Sequence, residues 1–279
     1  MIHRLEELDP SGLEARLAEK PALVLAIGTI EWHSRHLPLG LDLLKAQAIA
    51  RRTAERSGAV LAPPTWWAAG GVPQPYTLRL SGVVTEPVLA AVLEGVAEFG
   101  FRAICLLNGH YGLENSIAVR RAALACTRAT VIPLADYELL TDLGATGDHA
   151  GVFETALLLP GRPDLVHLEV EGELPGVIGE DPRGRATPEL GEQALELASA
   201  RAAALFDRAL QEPREPIAAA LTAAVEALEA LWRLRQELPR EHVPPVGTPS
   251  WLRHLERFRE ADWAGARDAA AAKAADPAS

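Results

Sequence analysis

Short apolar runs alternate with helix-like segments through the first two thirds of the chain, and this alternation limits the possible folds more than any other feature. Strand patterns fall at 22–28, 59–62, 102–107 and 130–134, with a shorter one near 164–168. Helical patterns lie at 12–19, 43–57, 86–99, 114–128 and 150–159. The runs Ala22 to Ile27 and Arg102 to Leu107 read as buried strands. Such alternation implies βαβ units, hence an α/β fold with a mostly parallel sheet covered by helices on both faces. From Pro188 the pattern becomes nearly all helix, with segments at 189–211, 216–238 and 249–262 and breaks at Pro239 and Pro244-Pro245. We therefore expect one large domain over 1–211 and a helical extension over 212–263, packed on the core or on a neighbouring subunit. The Ala-rich end, 264–279, is expected to be a disordered tail.

The chemistry-bearing residues cluster where strands end. Gly28 to Asp42 (GTIEWHSRHLPLGLD) follows the first apolar run directly. Glu31 and His33 are two apart, so on an extended segment they point to one side. A Pro-Gly turn then leads to Asp42, where the chain can fold back. Two carboxylates and an imidazole converging at a strand end suit a hydrolytic Zn²⁺ or Mn²⁺ site. The second run ends in Asn108-Gly109-His110-Tyr111, with Gly109 expected to permit a tight turn. A third segment, Gly147 to Thr155 (GDHAGVFET), places His149 and Glu154 about one helical turn apart. Ligands of open α/β sheets bind beyond the carboxyl ends of the strands, where all three segments meet. Each residue also has a plainer reading. Asp42 and Asp148 could cap the helices that follow them, Glu154 could be a solvated helix residue, and His36 could either orient a ligand or fix its loop.

Taken in order, E-x-H with H-L-P-L-G-x-D, N-G-H, D-x-H-A-G-x-x-E-T and Gly179-Glu180-Asp181-Pro182-Arg183 with Ala186-Thr187 resemble the creatininase (creatinine amidohydrolase) family. The resemblance runs from about residue 20 to 200. It implies a creatininase-like α/β fold, a two-metal amidohydrolase centre holding Zn²⁺ or Mn²⁺ (or Fe²⁺), and assembly as a homohexamer. By position it implies Glu31, His33, Asp42 and His110 as ligands, with Asp42 bridging the metals. The fifth ligand is Glu154 by its intact motif, with Glu114 as the substitute, because N-G-H-Y-G-L-E-N departs from the family's usual spacing.

The chemistry expected is hydrolysis. Two metals about 3.5–4 Å apart share a water, lower its pKa toward ~7 and polarise a carbonyl. His149 then serves as general acid/base, with Asp148 orienting it or shuttling its proton. Trp66, Trp67, Tyr111 and His36 are candidate substrate-binding residues, although Trp66 and Trp67 could equally pack loop against sheet or fill a subunit interface. Related family members act on formamides, peptides or carbocyclic ketones, so the substrate is a small amide or cyclic amide not restricted to creatinine. Two alternatives remain: a metal-dependent lyase, isomerase or C–C hydrolase acting on a small carbonyl compound, and a non-catalytic binding or scaffold protein that keeps the fold.

Composition excludes other classes. At 279 residues, 48% of them hydrophobic, the chain can bury a large core. A net charge of −11 argues against a nucleic-acid partner. With no signal peptide and no eighteen-residue apolar run, a cytoplasmic protein without membrane contact is expected. Cys105 and Cys126 are expected to be buried thiols.

Overall fold

The computed structural model describes residues 2–239 and 242–279. Five parallel strands form one sheet: β1 (His3–Arg4), β2 (Ala22–Ile27), β3 (Val60–Leu61), β4 (Ala103–Asn108) and β5 (Thr130–Ala135), in the order β1-β3-β2-β4-β5. Every residue of β2, β4 and β5 is buried, so their continuous apolar runs serve two faces at once. Val24, Ala26, Cys105 and Leu107 face α2 (Leu41–Ser57) and α6 (Pro188–Gln211). Leu23, Leu25, Ile104 and Leu106 face α3 (Gly82–Glu98) and α4 (Leu113–Ala125), with α1 (Pro10–Glu19) at the margin. Each fully buried aliphatic side chain stabilises the fold by roughly 1.5–3 kcal/mol. Cys105 and Cys126 are free and buried, as expected.

One topological fact positions the site. The chain leaves β2 for β3 on one side of it and returns as β4 on the other, so the strand order reverses at the β2–β4 pair. The register runs level from Ala22↔Ala103 to Ile27↔Asn108. The segments that follow β2 and β4 therefore emerge side by side, at a topological switch point.

Three expectations need correction. The segment near 164–168 is not a strand: Pro163–Leu165 forms a 3₁₀ turn. Proline at its start sets a helical φ, and Leu165 and Val166 pack on Leu37, Leu41 and Leu158 instead of the sheet. Asp42 does not cap α2, whose first turn contains it. The Ala-rich end is not frayed: Trp263–Ala275 forms helix α9, packed on α7 (Arg214–Glu237) and α8 (Pro249–Arg259). Alanine is the best helix former and its small side chain lets helices approach closely. Lys273, also buried, anchors this end by donating to the carbonyls of Pro245 and Pro277 and to Thr248 Oγ1. No helix among the described residues is long and apolar enough to cross a membrane.

The extension carries a pH-sensitive contact. His254 on α8 is buried and its Nδ1–H donates to the carbonyl of Ala266 at 2.8 Å. Burial, with Arg120 nearby, lowers its pKa to about 4. Between pH 6.5 and 4 the unfolded chain binds a proton that the folded chain refuses. Stability is therefore full above about pH 6.5 and falls as the pH drops toward 4. A comparison of urea unfolding for wild type and His254→Asn, which keeps a donor, should show the wild type losing about 3 kcal/mol more over that window. Equal slopes would remove His254 from the acid response.

Candidate metal centre

The loop after β2 carries Glu31 and His33, and the first turn of α2 carries Asp42. The loop after β4 carries His110, and the first turn of α5 (Val152–Leu158) carries Glu154. All five residues are buried, none more than 6% exposed. His33 Nε2 lies 3.0 Å from Asp42 Oδ1, 3.7 Å from Glu154 Oε2 and 3.9 Å from Glu31 Oε2. His110 Nδ1 lies 2.9 Å from Glu31 Oε2 and 3.1 Å from Asp42 Oδ2. Three groups of potential ligands among the described residues have donor atoms within 4.8 Å of one another: Glu31/His33/His149, and two triads built around one carboxylate, Glu31/Asp42/His110 and His33/Asp42/Glu154. Asp42 belongs to both, one carboxylate oxygen facing each imidazole.

The local backbone explains this convergence. The His33 ring donates Nδ1–H to the Glu31 carbonyl at 3.0 Å, which turns Nε2 toward the carboxylates. Glu31 Oε1 accepts the Val72 N–H at 2.6 Å, leaving Oε2 for the site. The His110 loop is held by two asparagines. Asn108 Oδ1 accepts the His110 N–H, and Asn115 Nδ2 donates to both Asn108 Oδ1 and the His110 carbonyl. Gly109 acts differently from the tight turn expected of it. Its φ is not positive, but a Cβ there would run into the carbonyl of Asp42, so only glycine lets β4's exit pass the start of α2.

The electrostatics are those of a cation site. Burial opposes an imidazolium at His33, yet Asp42, Glu154 and Glu31 outweigh it and raise its pKa to about 9. His110 is raised to about 10 in the same way by Asp42 and Glu31. Asp42 is held far below the usual carboxylate range, because the two imidazoles overcome its burial. Glu31 Oε2 and His33 Nε2 are buried without a well-directed hydrogen bond, which is costly unless another partner engages them. Hard carboxylates with imidazoles, converging and underbonded, fit a pair of divalent cations.

The remaining sequence candidates divide. Glu154 lies in the cluster, whereas Glu114 turns Oε1 to the Gly82 N–H at 2.6 Å, at the start of α3. His149 stacks on His33 with ring centroids 4.5 Å apart, and its Nε2–H donates to the Trp32 carbonyl at 2.9 Å. Asp148 accepts the Phe153 N–H at the start of α5, a helix-capping contact, and burial beside Glu154 raises its pKa to about 7. His36 is fully buried and its Nε2 meets Thr155 Oγ1 at 3.2 Å, tying the Glu31–Asp42 loop to the helix of Glu154. It has no surface for a substrate here. Tyr111 donates its hydroxyl to Asp136 and accepts from Lys45, so that hydroxyl is already committed within the protein. Trp66 is half-exposed and Trp67 uses its carbonyl to accept from Thr85; it is Gly70 and Gly71 of that loop that approach His110 and Glu31.

Sequence reasoning missed Lys45 and Asp136. Lys45 lies one helical turn after Asp42, and its Nζ is 2.8 Å from Glu154 Oε1 and 3.0 Å from Asp136 Oδ2. The available signal was the i,i+3 spacing, which puts Asp42 and Lys45 on one face of α2.

Residues 6–206 match the family model Creatininase, described as creatinine amidohydrolase. Over 192 residues, 58% of this chain and 73% of the relative, the sequence is 31% identical to creatinine amidohydrolase of Pseudomonas putida. A solved structure described as "Creatininase Mn" superposes with a TM-score of 0.65 at 26% identity, covering 75% of this chain and 99% of that one. A mutant creatininase of "Zn-Zn type" gives 0.62 at 26% identity, with the same coverage.

Proposed function

We propose, from the premise that this chain belongs to the creatininase family, that it is a two-metal amidohydrolase cleaving a C–N bond in a small amide or cyclic amide. The observation that carries this reading is Asp42, whose two oxygens serve two different ligand triads. Glu31, Asp42 and His110 would hold one cation, and His33, Asp42 and Glu154 the other. When bound, such a pair supplies Lewis acidity and a water acidified to near neutrality. The protein fixes where that chemistry occurs. The Asn108–Asn115 pair and the Val72 N–H set the ligands before anything binds, so little reorganisation is needed. His149 is assigned the proton transfer to the leaving nitrogen. With Nε2–H committed to Trp32, Nδ1 is the nitrogen left to exchange a proton. Asp148, next to it in sequence, is assigned as its proton partner. The enzyme is assigned to the cytoplasm as a homo-oligomer, with exposed Val83, Val84 and Val88 on α3 as an apolar contact surface.

The test is elemental analysis of the purified, unchelated chain, followed by a panel of creatinine, linear amides, cyclic amides and short peptides. About two equivalents of Zn or Mn, with hydrolysis of a panel member, is the expected result. One equivalent would favour a lyase or isomerase, and none after reconstitution would end the enzyme reading. His149→Ala should keep its metal while activity drops about 10²–10⁴-fold; unchanged turnover would remove it from the reaction. Of Glu154→Gln and Glu114→Gln, only the first is expected to release one metal equivalent.

A further inference from the structure

We propose that Lys45 is a positioning residue that sets the Glu154 carboxylate for the second metal. This rests on the two-metal reading above and goes beyond it, since the charge lies outside the ligand set. Lys45 is completely buried, and a buried ammonium persists only where its charge and its three N–H groups are matched. Three partners meet it: Glu154 Oε1 at 2.8 Å, Asp136 Oδ2 at 3.0 Å and the hydroxyl of Tyr111, whose ring centroid is also only 3.8 Å from Nζ. Glu154 is thereby gripped at both ends. Oε1 faces Lys45, while Oε2 accepts the Ala150 N–H at 2.6 Å and lies 3.7 Å from His33 Nε2. With one oxygen taken by the ammonium, the carboxylate presents Oε2 to the His33/Asp42 side and cannot rotate to chelate through both oxygens.

The asymmetry between the triads sharpens the inference. Glu31 is oriented by a backbone N–H, from Val72. Glu154 has a backbone donor too, the Ala150 N–H, but its other oxygen is held by a charged side chain that shares the face of α2 with Asp42, so one helix turn sets two candidate ligands of the same metal. Asp136, at the end of β5, and Tyr111, after β4, fix the ammonium in turn. Partners of this kind typically change metal affinity by about 10–100-fold when removed.

The experiment compares wild type, Lys45→Met and Lys45→Gln, each titrated with Zn²⁺ in a metal buffer and read by bound equivalents, and with Co²⁺ read by its visible d–d bands. Folding is checked by circular dichroism, and Lys45→Gln, which keeps a donor at the position, carries the test if Lys45→Met does not fold. The expected result is selective: one equivalent binds as in wild type, the other about 10–100-fold more weakly, and the Co²⁺ bands of one site alone are lost. Two equivalents of unchanged affinity would reduce Lys45 to a structural counter-ion, and equal weakening of both would show general damage; either overturns the proposal. A wild-type chain that binds no metal fails at the control, and that result rejects the two-metal reading itself.

Discussion

Asp42→Asn is expected to release both metals at once, with activity falling ~10³–10⁵-fold as several kcal/mol of transition-state stabilisation disappear. The expectation follows from Asp42 being the residue shared by the Glu31/Asp42/His110 and His33/Asp42/Glu154 triads. Glu31→Gln and His110→Ala should each release mainly one equivalent. The substitution also has a signature in metal-free protein. His33 and His110 have folded pKa values of about 9 and about 10, raised above the ordinary value of 6.5 chiefly by their carboxylate partners acting against burial. A raised pKa contributes stability that is fully present below pH 6.5 and is lost as the pH climbs through 9 to 10. The metal-free wild type should thus lose stability over that alkaline window, and Asp42→Asn should lose much of the dependence. Metal uptake runs the opposite way, since each ion must displace those protons, and tightens as the pH rises. Elemental analysis and urea unfolding at pH 6, 8 and 10 read all of this. If Asp42→Asn retains two metals, the bridging assignment is wrong.

Trp251→Ala is expected to have the largest effect on stability. Trp251 is 1% exposed, packed with Leu113, Ile117, Leu228, Leu231 and Leu255, with the Arg120 guanidinium 5.6 Å from its ring centroid. Truncating a buried tryptophan costs ~3–5 kcal/mol, a shift of roughly 10 °C in thermal midpoint for a chain of this size. The shape of the transition is as informative as its position. Phe258, Trp263 and Ala266 of the extension share one apolar cluster with Val24 and Leu107 of the sheet. We therefore propose that 212–279 is an integral cover of the domain, and calorimetry of the variant should show a single transition displaced to lower temperature. A separate early transition, with the rest of the chain melting as in wild type, would instead make the extension an autonomous unit.

Much of the architecture could be read before any coordinates. The strands β2, β4 and β5 announce themselves because a strand covered on both faces must be apolar at every position, and a six-residue run such as ALVLAI leaves few alternatives. The two-residue edge strand β1 is too short to leave a pattern, and Leu165-Val166 imitated a strand because burial against a loop cluster selects the same residues as burial in a sheet. The tail misled for a related reason. An alanine-rich stretch looks the same in sequence whether it is frayed or packed, and only the presence of α7 and α8 beside it decides.

The same division holds at the site. By itself the sequence determined which candidate ligands follow the strands, Glu31, His33 and His110, since a strand's exit, a glycine and a histidine are local features. Only the tertiary structure decided how they combine. It placed Glu154 in the cluster and turned Glu114 to the start of α3, tied His36 to Thr155, and set Lys45 against a carboxylate 109 positions along the chain. These are contacts between segments distant in sequence. Their energies come from burial and charge matching in a shared interior, and no local pattern of residues encodes that interior on its own.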